Sequence, residues 1–400
     1  MTQRRVFWAL VVVLALTPIL YAATAGSLDL KVYRVGGTVW RDGLSLYSPG
    51  FAELVPVLPL PFTYPPFAAI LFTGVAVLPF VVAEVLMNAV SVAALAATLT
   101  VVTARLYGWN RRSVIIGLGL TTIGMLLEPV RATIGFGQVN LLLMALVTLD
   151  CLLPRTRWPR GLLLGLAAAS KLTPAVFVLY FLVRRQYRAA LVSLGSFAGF
   201  TLVGFAMLPG DSMKYWFGVL FDPGRIGGAT YSFNQCFQAV LERIAPGHTL
   251  LWAGLVVLAF APAVVAARKA RAAGDDVTAL IVIAAFGLLA SPVSWSHHWV
   301  WVAPALIVLA HKRQWFVGGL VLAVFAVGPH KYLPPEGRSW NWAEHLIGSA
   351  YVVTAVVALI VLAFHRWAVM TSGPGGGVPG EDLGVAVQRD HAEQVATGGS

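Results

Sequence analysis

Leu28-Asp29-Leu30-Lys31-Val32-Tyr33 opens the first polar segment of the chain, Ser27 to Pro66, and Pro61-Phe62-Thr63-Tyr64-Pro65-Pro66 closes it. The segment follows the apolar run Val6 to Thr24 with almost no spacer. Asp29 therefore falls where a hydrophobic helix meets water. A carboxylate there is cheap to ionise yet close to hydrocarbon. Whether that boundary exists depends on the rest of the chain. Of the 400 residues, 58% are hydrophobic and only 11% charged, where a soluble domain carries about 25% charged residues. The deficit is spread over many apolar runs. Inside lipid the backbone must satisfy its own hydrogen bonds, so only helices or a closed barrel can span. These runs are continuous rather than alternating over ~10 residues, which excludes a barrel. The sequence predicts an all-α polytopic membrane protein with no soluble domain between its runs.

The net charge of +11 does not point to nucleic acid, because Lys and Arg cluster in short loops between apolar runs, a membrane signature. Cys151 and Cys236 lie in unlike contexts, and no CxxC or metal-type spacing occurs. No metal and no other cofactor is read from the sequence. Arg4 and Arg5 before the first run place the N-terminus in the cytoplasm. Ala23-Thr24-Ala25 has the look of a signal-peptide cleavage site, but the run exceeds a typical ~7–15-residue signal core. An uncleaved first helix is the default reading.

Working outward, the positive-inside rule puts 27–66 on the external side. Phe67 to Thr103 follows, broken near Pro79; one crossing fits the charges, while the length suggests two helices. Arg105, Arg111 and Arg112 are cytoplasmic. Val114 to Leu127 crosses outward to Glu128-Pro129-Val130-Arg131, and Leu141 to Leu153 returns to Arg155, Arg157 and Arg160. Gly161 to Val183 is flanked by basic residues at both ends, with Arg184, Arg185 and Arg188 closing it. If both clusters are cytoplasmic, the stretch enters and returns, turning at Ser170-Lys171-Leu172-Thr173-Pro174, since Pro174 disfavours helix at the residue before it. Each arm is then shorter than the ~20 residues of a crossing. That makes a re-entrant hairpin with Lys171 at its tip; the alternative is one kinked crossing. A second external loop, 209–248, and outward-facing segments at 291–299 and 328–345 follow, with His311-Lys312-Arg313 inside. The membrane domain spans 1–367, and 368–400 reads as a disordered cytoplasmic tail. About 12 hydrophobic helices result, ten of them crossings, the others re-entrant. Drawn from Lys and Arg alone, this topology sends every motif-like polar segment to one face.

An ionisable residue at the membrane boundary is a functional candidate by default. Asp29 is either a solvated helix-end carboxylate or a base. Arg34, with Lys31, either snorkels or holds a phosphate. Phe62-Thr63-Tyr64-Pro65-Pro66 starts a helix, with proline at its first positions. Glu128 and Arg131 are read as a structural pair. Gln138 and Asn140, within an apolar run, suit helix–helix contacts. Asn234 and Gln235, in a loop, suit sugar hydroxyls. His297-His298 among Trp295, Trp299 and Trp301 reads as an interfacial aromatic belt, as a metal site lacking a third ligand, or, by preference, as a phosphate-facing pair. Lys171 at a hairpin tip calls for an anionic partner.

Asp29-Leu30-x-Val32-Tyr33 with Gly36-Gly37, Leu46-Tyr47 and Pro61-Phe62-Thr63-Tyr64-Pro65-Pro66 come first in the chain. Gly137-Gln138-Val139-Asn140, Lys171-Leu172-Thr173-Pro174, Ser232-Phe233-Asn234-Gln235 and Ser291-Pro292-Val293-Ser294-Trp295-Ser296-His297-His298-Trp299 follow. In number and order these motifs, over Leu28 to Trp367, resemble glycosyltransferase family 87. The resemblance implies a GT-C-type bundle in the plasma membrane with extracytoplasmic loops and site, a lipid-phosphate sugar donor and inverting chemistry. It implies Asp29 as catalytic base. It puts Lys171 and His297 or His298 beside the donor phosphate. The residues themselves add Arg34 or Arg131 as further phosphate partners, and Tyr33, Tyr64, Gln138, Asn140, Asn234, Gln235, Trp295 and Trp299 as the expected contacts of the sugars. The implied partners are polyprenyl-phosphate-mannose, a phosphatidylinositol mannoside glycolipid that accepts mannose on a 2-hydroxyl in α-1,2 linkage, and membrane lipids. Lipomannan branching, or a polyprenyl-phosphate-pentose (arabinosyl) donor, is the alternative within the class. A flippase for lipid-linked sugars, which should show internal repeats, is the alternative outside it.

Overall fold

Apolar runs become helices and prolines set many of their breaks. The computed structural model describes residues 3–22 and 26–365; Ala23-Thr24-Ala25 and the tail 368–400 lie outside the described residues. In chain order the helices are α1 (Gln3–Ala22), α2 (Leu28–Arg41), α3 (Pro66–Ala76), α4 (Phe80–Tyr107), α5 (Arg111–Gly124), α6 (Glu128–Phe136), α7 (Asn140–Leu152), α8 (Leu162–Ser170) and α9 (Val178–Val183). They continue as α10 (Tyr187–Met207), α11 (Pro209–Phe217), α12 (Phe237–Ile244), α13 (Thr249–Ala272), α14 (Asp276–Ala290), α15 (Val302–His311), α16 (Trp315–Val327), α17 (Trp342–Gly348) and α18 (Ala350–Phe364). The stretch from Phe67 to Thr103 is thus two helices, parted just before Phe80 by Pro79, whose ring disfavours a helix interior.

Four helices, α1, α4, α10 and α13, hold windows long and apolar enough to cross a membrane, and the bent pairs α5–α6 (78°) and α17–α18 (72°) pass when taken together. In α1, α10 and α13 only 17% of that window is buried against protein. Leaving such faces in water forfeits about 25 cal/mol per Å², so their medium is lipid. The chain is a polytopic helical membrane protein.

Charge divides the bundle into two ends. At one, Asp276 receives Arg105 (2.7 Å) and Arg184, and Lys312 meets Asp275 at 2.6 Å. Arg271 there donates to the Val183 carbonyl, and Lys269 to that of Ala363. Basic loops far apart in sequence therefore converge on one acidic loop between α13 and α14. At the other end the polar motifs interlock through backbone: Ser27 N to Gly135 O (3.1 Å), Gln235 N to Ser294 O (2.7 Å), Ser296 N to Phe233 O (2.7 Å) and Ser232 N to Pro335 O (2.8 Å).

The span 161–183 links the two ends. Asp150, near the end of α7, is fully buried and accepts from Gly161 N and Leu164 N, both at 2.9 Å, satisfying the open first turn of α8. Arg160 reciprocates, donating to the carbonyls of Asp150 (2.6 Å) and Leu153 (2.5 Å) at the end of α7. A carboxylate on a helix start and a guanidinium on a helix end both suit the macrodipole. From there α8 runs back along α7 until Lys171 stands level with Asn140, the first residue of α7. The chain then turns, and Tyr180 on α9 returns its hydroxyl to the Cys151 carbonyl. Helix α10 lies beside α8, running the same way. Gly161 faces Ala189 and Ser193, and Gly165 faces Ser193 and Ser196, so closely that a Cβ at Gly165 would stand 2.5 Å from the Ser193 carbonyl oxygen.

One sequence expectation fails here. Glu128 and Arg131 do not pair. Glu128 is buried and accepts from Ser296 Oγ (2.9 Å) and Tyr351 Oη (2.8 Å), whereas Arg131 donates to the carbonyls of Leu126 and Ala326. Two hydroxyls satisfy a buried carboxylate without burying a second charge beside it.

Candidate active site

The site begins at the entry to α2. Ser27 adopts a left-handed conformation (φ 37°), and both its ends are tied: its N–H to Gly135 O, its hydroxyl to the buried carboxylate of Glu84 on α4. That fixes where Asp29, in the first turn of α2, emerges. Leu30, Val32, Tyr33, Gly36, Gly37 and Val39 turn into the protein. Tyr33 stacks on Phe72 of α3 with centroids 4.1 Å apart and meets Tyr64 edge-on at 5.2 Å. The Pro65-Pro66 start of α3 thus holds Tyr64 in place.

Two hydroxyls then orient an amide. Tyr33 donates to Gln138 Oε1 at 2.7 Å, and Tyr64 lies 2.9 Å from Tyr33 Oη and 3.3 Å from the same amide oxygen. With its oxygen occupied, Gln138 presents its NH₂ to the Asp29 carboxylate. Gly137 makes the approach possible. It has φ 67°, and a Cβ there would lie 2.8 Å from Leu30 Cβ.

The cationic side comes from the break after α8. Lys171 Nζ donates to Asn140 Oδ1 (3.0 Å), approaches His298 Nε2 (3.2 Å) and lies 5.5 Å from the Tyr64 ring centroid. An ammonium has three donors; two are engaged here and the third is open. The His297 carbonyl accepts from Thr133 Oγ1 (2.8 Å) and Asn140 Nδ2 (3.0 Å), pinning the 3₁₀ turn 296–301 against α6 and α7. His297 is buried, and its Nε2 has no hydrogen-bond partner among the described residues. Burial, seconded by the Lys171 charge, pushes its imidazole down to about 3, so it is neutral at physiological pH.

Asp29 is half-buried and lies within electrostatic reach of Lys171. No direct ion pair joins the two among the described residues. Burial raises its carboxyl to about 6, against the opposing pull of the Lys171 charge and of the Gln138 hydrogen bond. A carboxylate facing an unpaired ammonium donor and an unsatisfied imidazole nitrogen can take a proton from one group while its neighbours receive an anion.

Asp29, Tyr33, Tyr64, Gln138, Asn140, Lys171, His297 and His298 are therefore brought together. Arg34 is elsewhere: its guanidinium caps α3 through the carbonyls of Val75 (2.8 Å) and Leu78 (2.5 Å). Arg131 is engaged with backbone as described. Asn234 and Gln235 are fully buried and brace loops: Asn234 Oδ1 accepts from Ser294 N, and Gln235 Nε2 donates to the Ser232 and Gly348 carbonyls. Trp299 is buried and donates to Gln235 O, while Trp295 remains partly exposed beside Tyr231. The sequence reading missed Glu84, although a lone carboxylate in an apolar run is a recognisable signal. It also missed Arg243, buried under Trp340, which donates to the carbonyls of Tyr231 and Asn234 and to Ser349.

Fold and site together mark an integral-membrane enzyme with its polar chemistry gathered at one end of a helical bundle. The profile of glycosyltransferase family 87 matches residues 62–292. A Mycobacterium tuberculosis protein named polyprenol-phosphate-mannose-dependent alpha-(1-2)-phosphatidylinositol mannoside mannosyltransferase is 38% identical, over 92% of this chain and 93% of its own. A Mycolicibacterium smegmatis protein of the same name is 40% identical over 84% of this chain and 83% of its own. Another from that organism, named for a phosphatidylinositol pentamannoside, is 37% identical over 86% of each. No solved structure matches. The chain belongs to glycosyltransferase family 87.

The Asp29 environment predicts an acid limb. Were Asp29 the base, it would act only when ionised, and burial holds its carboxyl up at about 6. Sugar transfer should hold near its plateau above that pH and fall about tenfold per unit well below it. A pH–rate profile of the purified protein checks this; a flat profile down to pH 4.5 contradicts it.

Proposed function

We propose that this chain transfers mannose, with inversion, from polyprenyl-phosphate-mannose to the 2-hydroxyl of a mannose on a phosphatidylinositol mannoside, forming an α-1,2 linkage. The observation that carries the reading is Asp29 set opposite Lys171 without an ion pair between them. Relatives named for this reaction match along nearly the whole chain. Asp29 takes the proton of the acceptor hydroxyl as its oxygen attacks the anomeric carbon. The bond from that carbon to the phosphate oxygen breaks, and polyprenyl phosphate departs. Its growing charge is met by the free donor of Lys171 and an N–H of His297 or His298. Trp295, partly exposed, offers a ring face to the sugars, while Tyr64 supports Lys171 from beneath.

The same reading places the site on the extracytoplasmic side of the plasma membrane. The end where Arg105, Arg184, Arg271 and Lys312 converge is the cytoplasmic one by the positive-inside rule. The stretch 161–183 is then a re-entrant hairpin carrying Lys171 to the outer side. The parallel packing of α8 and α10 supports this, as does the return of Tyr180 to Cys151.

The deciding experiment incubates purified protein with radiolabelled polyprenyl-phosphate-mannose and phosphatidylinositol mannosides of increasing length. The expected product is a glycolipid longer by one mannose, released by an α-1,2-specific mannosidase. Transfer only to lipomannan, or only from a polyprenyl-phosphate pentose, overturns the assignment. For the topology, cysteines placed at the exposed Ser339, in the 328–345 loop, and at the exposed Arg157 should differ in intact cells. Ser339→Cys should react with an impermeant thiol reagent and Arg157→Cys should not; the reverse pattern inverts the bundle.

A further inference from the structure

We infer a second lipid site, at the end of the bundle opposite Asp29, that seats one anionic glycerophospholipid of the leaflet bordering the basic loops. Helices α4, α5, α15 and α16 leave a cavity of about 790 Å³ between them. That volume is in the range of pockets that hold whole small molecules, about 300–1,000 Å³. Its lining changes character with depth. Arg112 and Gln314 stand at the basic end, and Ile116, Leu120, Leu306 and Leu322 line the interior. From Arg112 to Ile123, α5 climbs about 16 Å, close to one leaflet's share of a ~30 Å hydrocarbon core. The groove therefore has the depth of an acyl chain that starts at a headgroup.

Charge decides which lipid. Three cations near it are committed, Arg105 and Arg184 to Asp276 and Lys312 to Asp275. Arg112 has no ion-pair partner among the described residues, lies exposed at the groove mouth, and follows the exposed Arg111. A phosphodiester at the mouth would meet this unpaired guanidinium while its chains enter the apolar part, whereas a zwitterionic headgroup would bring its own ammonium to the same place. A long polyprenyl phosphate bound for Asp29 belongs at the other end of the bundle. The site is thus separate from the donor path and does not rest on the transfer chemistry.

Native mass spectrometry of the full chain in detergent, titrated with phosphatidylglycerol or phosphatidylcholine of identical chains, reads occupancy directly. Wild-type protein should retain the anionic lipid about fivefold better, the worth of roughly one cationic side chain near a membrane surface. Arg112→Gln, a change at an exposed position, should erase that preference. Gly319 lines the groove, and an added Cβ there meets nothing within 4 Å. Gly319→Trp, whose Cβ is accommodated, should occupy the groove and displace both lipids. Equal retention of the two lipids by wild type overturns the inference, as does wild-type occupancy in either variant.

Discussion

A carboxylate and an ammonium held near one another, but kept from closing into an ion pair, is the constraint on which this structure turns. Left alone in a half-dry site, Asp29 and Lys171 would gain by touching. Each is held back by other partners: the Gln138 amide on the carboxylate, Asn140 and His298 on the ammonium. Those partners depend in turn on Tyr33, Tyr64 and Thr133. On the proposed function the gap would receive an acceptor hydroxyl and a donor phosphate, and burial lifts Asp29 toward a pH at which it can both take and release a proton.

Keeping such a gap requires rigid supports from distant parts of the chain. Helix α2 is fastened at Ser27 to Gly135 and Glu84, α7 begins at the residue that holds Lys171, and α8 is locked to α7 by the reciprocal Asp150 and Arg160 caps. Three helices thus converge without any of them spanning the site. Around them α1, α10 and α13 expose apolar faces to lipid, so the surrounding medium as well as the core keeps the bundle upright.

Much of this was legible in the residues, and the exceptions are instructive. Charge scarcity decided the class, Pro79 marked a real break, and Lys and Arg positions anticipated which loops meet at the Asp275–Asp276 end. Asp29, Lys171 and the His297-His298 pair were visible as polar residues beside hydrocarbon. Arg34 was not readable as a helix cap, because the α3 carbonyls it serves lie some forty residues away and local sequence says nothing of their approach. Asn234 and Gln235 looked like loop amides free for sugar. Once loops 230–236 and 291–299 stack, their buried backbone needs partners, and those amides supply them. Glu128 found hydroxyls on Ser296 and Tyr351 instead of Arg131, a choice made by tertiary packing alone.

The central claim is that Asp29 is the proton acceptor. Asp29→Asn keeps the size of the side chain and removes its basicity, so single-turnover transfer from polyprenyl-phosphate-mannose by the purified variant tests it directly. The account predicts a rate lower by about 10²–10⁴-fold, with the protein folded and donor binding retained. Transfer at the wild-type rate would contradict it.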